Sequence, residues 1–181
     1  MSKLMDKLRT NTTIKAAQLL KDSDFMNHEM VPTDIPAVNI ALSGTICGGL
    51  TSGLTTIAGP SKHFKTAFGL LMMKAYLQSK PNAIALFYDS EFGTPQKYFE
   101  TFDIDMSRVL HSPIMDVEQL KIDIVKQLDE LEKEDEVYIF VDSIGNLASH
   151  KEVQDALDGK MVGDMTRAKS IKSLFRAVTP Y

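Results

Sequence analysis

The apolar positions of this chain fall into two patterns. Continuous runs occur at 54–58 (Leu-Thr-Thr-Ile-Ala), 83–88 (Ala-Ile-Ala-Leu-Phe-Tyr) and 137–141 (Val-Tyr-Ile-Phe-Val), with a shorter one at 109–111. Runs of this length read as strands covered on both faces. The segments between them have helical character. In 116–133, Val117, Leu120, Ile124, Leu128 and Leu131 share one face. From 164 to 178, Met165, Ala168, Ile171, Leu174, Phe175 and Val178 do the same. Residues 65–78 form a third helix, and Pro95 suits the first turn of a fourth, capped by Thr94 and ending near 102. Strands alternating with helices predict an α/β fold around a mostly parallel sheet.

The N-terminal part is patterned differently. Residues 1–21 read as a helix of mixed charge. Leu4, Met5 and Leu8 form one apolar patch, and Ile14, Ala17, Leu19 and Leu20 a second. So short a helix buries little alone, and it is expected to dock on its own core or on a neighbouring subunit. Residues 22–37, with Pro32 and Pro36, read as an extended connector. A compact region begins at 39–42, and Gly44, Gly48, Gly49 and Gly53 mark loops before the first strand. The division is therefore an N-terminal helical segment and linker over 1–36, and a core over 37–181. After 178 a parallel sheet would normally add another strand, so a fragment or split gene product with an incomplete sheet is expected.

Composition narrows the chemistry. A net charge of −4 means that any nucleic-acid site must be a local basic patch. The single Cys47 excludes an internal disulfide and is expected to be a buried or semi-buried thiol. No apolar run long enough for a membrane helix or a signal segment is seen, which makes the cytoplasm the default. His28, His63, His111 and His150 have no metal-ligand spacing.

The chemistry-bearing motif is Gly59-Pro60-Ser61-Lys62-His63-Phe64-Lys65-Thr66. It fits the phosphate-loop pattern G-x-x-x-x-G-K-[ST] at every position except Phe64. In such a loop backbone N–H groups surround a polyphosphate at a helix N-terminus. The lysine (Lys65) reaches the β/γ-phosphates and the hydroxyl (Thr66) sits on Mg²⁺. A partner carboxylate is expected at the end of an apolar strand, where Asp142 follows 138–141. This strand is expected to lie beside the 54–58 strand, and the 83–88 strand comes between the two in the chain. Glu91, just past that middle strand, becomes the candidate water-activating base, with Asp89 as helper or turn residue. Tyr98 could stack on a nucleotide base. Arg167, Lys169, Lys172 and Arg176 against Asp164 give 164–181 a net +3, enough for a local phosphate-binding patch.

Four ordered segments then carry a resemblance: 39–44 (Asn-Ile-Ala-Leu-Ser-Gly), 59–66, 87–93 (Phe-Tyr-Asp-Ser-Glu-Phe-Gly) and 141–147 (Val-Asp-Ser-Ile-Gly-Asn-Leu). Together they resemble the RecA recombinase family, most closely its UvsX-type branch from T4-like bacteriophages, where phenylalanine replaces the second glycine. The resemblance runs from about residue 30 to the end. It implies a three-layer P-loop NTPase core and an ATP- and Mg²⁺-dependent, DNA-stimulated ATPase, working in the host cytoplasm if phage-encoded. Such proteins form helical homo-oligomeric filaments on single-stranded DNA and exchange strands with duplex DNA in recombination and repair. By the same resemblance, Lys65 and Thr66 hold phosphates and metal. Glu91 is the catalytic glutamate, Tyr98 stacks on adenine, and Asp142, with Ser143 beside it, faces Mg²⁺ through water. The first DNA loop falls around 150–163, followed by Gly163-x3-Arg167. Arg167 and Ser170 are then DNA contacts, supported by Lys169 and Lys172. The family's N-terminal helix packs on the adjacent subunit, a role suited to Leu4, Met5 and Leu8.

Two further readings remain open. One is a nucleotide-binding interaction module that joins or caps filaments without catalysis. The other is a different P-loop ATPase, such as a hexameric helicase relative.

Overall fold

The computed structural model describes residues 3–23, 29–160 and 165–179. His28, Gly163 and Asp164, named above, lie outside the described residues, as do the last two positions of the 164–181 segment.

The body is a three-layer α/β sandwich. Among the described residues, β1 (Ile84–Asp89), β2 (Val109–Pro113) and β3 (Val137–Asp142) form one parallel sheet in the order β2-β1-β3. The register pairs Ala85 with Val109 on one side of β1 and with Tyr138 on the other. It ends by aligning Asp89 with Asp142.

The pleat sorts side chains to two faces. Ala85 and Phe87 of β1, with Tyr138 and Phe140 of β3, face α3 (Lys65–Ser79) and α4 (Gln96–Thr101). There they meet Leu70, Met73, Leu77 and Phe99. Leu86 and Tyr88, with Val137, Ile139 and Val141, face α5 (Val117–Asp129) and α7 (Thr166–Val178). The predicted α5 stripe is what packs there: Val117, Leu120, Ile124 and Leu128 are buried. Leu174 of α7 is buried in the same cluster, with Ile171, Phe175 and Val178 against it, while Met165 is exposed.

Several expectations need correction. Residues 54–58 are not a strand: among the described residues nothing pairs with them. Their β-forming composition is real, but a strand exists only when a neighbour takes its N–H and C=O groups. The neighbour of β3 in the sheet is accordingly β1, not a 54–58 strand, and β1 lies between β2 and β3. β3 is half-buried along most of its length rather than enclosed on both faces. The N-terminal helix α1 stops at Asn11 (Lys3–Asn11) and buries no residue, so Ile14 and Leu20 do not continue its face and are exposed. α2 (Pro36–Ser43) occupies what read as the end of a connector and the start of the compact region. Pro36 starts it and Gly44 closes it at φ +77°, a left-handed backbone that glycine adopts at no steric cost. Pro95, not Thr94, is the cap residue of α4. Cys47 is exposed.

The linker side is also tied to the body. Val31 pairs with Leu50 through two backbone hydrogen bonds (2.8 and 2.9 Å), and both pack on Met72. Buried Asn39 accepts from Thr33 N–H (2.8 Å) and donates to the carbonyls of Thr33 and Ile46 (3.0 and 3.1 Å). No helix among the described residues is long and apolar enough to cross a membrane.

Candidate functional site

The 59–66 segment leads directly into α3, so the free N–H groups and positive end of the helix open onto the loop. Two loop residues adopt left-handed backbone, Lys62 at φ +64° and Phe64 at φ +58°. This explains why the motif usually has glycine at position 64: that position requires positive φ. Phe64 meets the requirement while 75% exposed. A conformation that costs a bulky residue on the order of 1–3 kcal/mol is held by the surrounding loop. Lys65 Nζ donates to Pro60 O (2.9 Å), so the ammonium group spans the loop. His63 Nδ1 lies 2.8 Å from Ser61 O, still within the loop.

The first turn of α3 meets the end of β3. Thr66 Oγ1 donates to Asp142 Oδ2 at 2.6 Å, across 76 residues of sequence. Burial pushes the Asp142 carboxyl above its usual range. The Thr66 hydroxyl and Lys65 pull it down, and the Glu91 and Asp89 carboxylates push it up. Both oxygens are hard donors of the kind that suits Mg²⁺.

Glu91 sits on the turn beyond β1. Buried Asp89 shapes this turn, accepting from Glu91 N–H (2.9 Å) and Phe92 N–H (2.7 Å) through Oδ1. Asp89 thus fills the turn role considered for it. Two serines complete the arrangement. Ser90 Oγ accepts from Ser143 N–H (2.9 Å) and donates to Ser143 O (2.7 Å), tying the ends of β1 and β3 together. Ser143 Oγ donates to Glu91 Oε1 (2.9 Å). Lys65, Thr66, Asp142, Ser143 and Glu91 therefore form one connected group. The role of Ser90 was missed in the sequence, although the signal was there: Asp-Ser stands at the end of both strands, and the register puts Asp89 opposite Asp142.

Other predicted residues lie around this group. Tyr98 is exposed on α4, the helix that follows the Glu91 turn. Lys169 and Lys172 are exposed on α7, and Ser170 Oγ donates to Glu118 Oε1 (3.2 Å). Arg167 has a definite structural role. Its Nε donates to Leu147 O (2.6 Å), and its Nη2 to Ile144 O (3.0 Å) and Gly145 O (2.9 Å). Those carbonyls belong to the turn just past Ser143. This accounts for an arginine at the edge of an apolar helix face without invoking a ligand.

No protein-family model matches the chain. The chain is 52% identical over 182 residues to the "Recombination and repair protein" of Enterobacteria phage T4. That alignment takes in 100% of this chain and 46% of the phage protein, so the chain spans about half the length of this curated relative.

Proposed function

We propose that this chain is the nucleotide-binding portion of an ATP-dependent DNA recombinase of the RecA type, acting in recombination and repair. The observation that carries the reading is the Thr66–Asp142 hydrogen bond at 2.6 Å. It joins the two residues that a phosphate-loop protein needs around its metal, from segments far apart in sequence. The name of the T4 relative, at 52% identity, fits the same reading.

In this proposal the N–H groups of 59–66 and the Lys65 ammonium hold the β- and γ-phosphates of ATP. Thr66 and Asp142 would hold Mg²⁺, which would neutralise phosphate charge. Glu91, oriented by Ser143 Oγ, takes the proton of the attacking water. Tyr98 is assigned to stack on the base. DNA contact is assigned to α7, through Lys169 and Lys172 first and Arg167 and Ser170 after them, with filament assembly through α1.

The test is Mg·ATP binding and hydrolysis by the 181-residue chain, with and without single-stranded DNA, beside Lys65→Ala. Binding lost in Lys65→Ala and turnover stimulated by DNA are expected. Lys65-dependent binding without turnover would favour the non-catalytic module. No nucleotide binding by the wild-type chain would sink both.

A further inference from the structure

Away from the phosphate loop, the starts of two helices are brought side by side. Asp116 and Ala148 form a parallel backbone bridge, and Val117 N–H donates to Ala148 O (3.0 Å). This places Asp116 and Glu118, at the start of α5, against His150, the first residue of α6 (His150–Leu157). His150 Nε2 lies 2.8 Å from Asp116 Oδ2, and His150 N–H donates to Glu118 Oε2 (3.2 Å). One ligand atom from each of the three side chains lies within 4.8 Å of the others.

The charge is not balanced. Asp116 is 6% exposed and sits beside a second carboxylate. Among the described residues no lysine or arginine forms an ion pair with Asp116 or Glu118; His150 alone pairs with Asp116, and only when protonated. The helix N-termini take up part of the charge, as Gln119 N–H donates to Asp116 Oδ1 (2.7 Å). A buried carboxylate beside a like charge still calls for a cation.

We infer that Asp116, Glu118 and His150 form a binding site for one divalent transition-metal ion of the Zn²⁺ class. The donor set is one imidazole nitrogen and two carboxylates, which suits Zn²⁺ and its neighbours better than Mg²⁺. Ligands at 2.0–2.2 Å on adjacent positions of one ion lie about 3 Å apart; the His150 Nε2–Asp116 Oδ2 pair is at 2.8 Å, and all three ligand atoms lie within 4.8 Å, so binding needs only a small inward movement of Glu118. The outer contacts are also in place. Gln119 N–H fixes one Asp116 oxygen and leaves Oδ2 to ligate, and Ser170 Oγ orients Glu118. The ion ties α5 to α6 and, through Ser170, reaches α7, which carries Lys169 and Lys172.

The experiment is calorimetric titration of the chelator-stripped 181-residue chain with ZnCl₂, without nucleotide and with excess Mg²⁺ present. CoCl₂ is used in parallel for its visible spectrum. One saturable ion per chain is expected, with ligand-field bands from Co²⁺. The melting midpoint should rise by about 5–10 °C at a hundredfold excess over Kd. Asp116→Asn keeps a good helix cap and removes an anionic ligand. It and His150→Gln should each weaken binding at least about tenfold, the scale on which even an outer partner matters. His111→Gln, a surface histidine near Asp89, should bind as wild type. Circular dichroism checks that each variant is folded. No saturable binding, displacement by Mg²⁺, or unchanged binding in both ligand variants would overturn the inference.

Discussion

Arg167 separates a structural account from a functional one. It makes three hydrogen bonds to the turn after β3, to carbonyls of Leu147, Ile144 and Gly145. Leu147 is buried and Ile144 half-buried, whereas Gly145 is exposed and water can replace its bond. Two bonds therefore matter, each worth about 1.5–3 kcal/mol from a charged donor, and partial exposure puts them at the low end. Arg167→Ala should cost about 2–4 kcal/mol in urea unfolding, equivalent to a fall of about 5–15 °C in melting midpoint for a chain of this size. Arg167→Lys is the sharper variant. It keeps the charge but not the fork that reaches several carbonyls at once. If Arg167 clamps the turn, Arg167→Lys loses most of the same stability. If Arg167 is chiefly a phosphate contact, Arg167→Lys stays as stable as wild type. Arg167→Ala would then lower the slope of log affinity against log salt by about 0.7 on single-stranded DNA. Wild-type melting of Arg167→Lys together with that slope change would refute the clamp.

Two further outcomes follow from the packing around Asp142. Its folded-state carboxyl titrates above the ordinary value of 3.8, chiefly because of burial. A raised folded value means stability that is fully present below 3.8 and lost as pH rises through the folded value, so ionised Asp142 costs stability at neutral pH. Asp142→Asn should therefore raise the neutral-pH melting midpoint and weaken Mg²⁺-dependent nucleotide binding. The stability gain should vanish in acid, and a gain independent of pH would contradict the burial argument. Gly69→Ala places a Cβ inside the van der Waals reach of the Phe140 ring. Overpacking of about 1–3 kcal/mol should outweigh the helix gain of about 1 kcal/mol. Phe140→Leu should relieve it, and a more stable single variant in urea would contradict the close approach.

What the sequence revealed follows from which forces are local. β1, β2, β3, α3, α5 and α7 were readable as elements from apolar runs and helical patterning, although only β1 is buried along most of its length, β3 is half-buried and β2 is largely exposed. The stripe on α5 named its four buried residues. The misreadings had both local and non-local causes. The 54–58 run has strand composition, but composition does not supply a neighbour. α2 was hidden by Pro36, which was taken as a connector signal although proline also starts helices. The Asn39 contacts with Thr33 and Ile46 that hold this region are not visible as a pattern. At the candidate site, the 59–66 segment, Asp142 and Glu91 were legible as motifs. The serine bridge joining them depends on strand register, which no single segment encodes. Likewise, His150 has no ligand spacing in sequence, yet the Asp116–Ala148 bridge brings two carboxylates to it.

The geometry at Thr66 and Asp142 is itself a consequence of core packing. Thr66 and Gly69 are three residues apart on α3 and so share a helix face. Tyr138, Phe140 and Asp142 alternate along β3 and so share a sheet face. The two faces meet at successive points. Tyr138 Oη donates to Gly69 O (3.1 Å), the Phe140 ring lies against the Gly69 Cα, and Thr66 Oγ1 donates to Asp142 Oδ2 (2.6 Å). Any side chain at 69 would push the helix away from the strand. A threonine hydroxyl is short, so a lift of about 1 Å would already stretch a hydrogen bond toward the limit of useful distance. Gly69 has no polar side chain and cannot touch a ligand through one. It nevertheless sets the distance on which the Thr66–Asp142 pair depends, by letting the helix lie close enough to β3 for the short hydroxyl to reach the carboxylate.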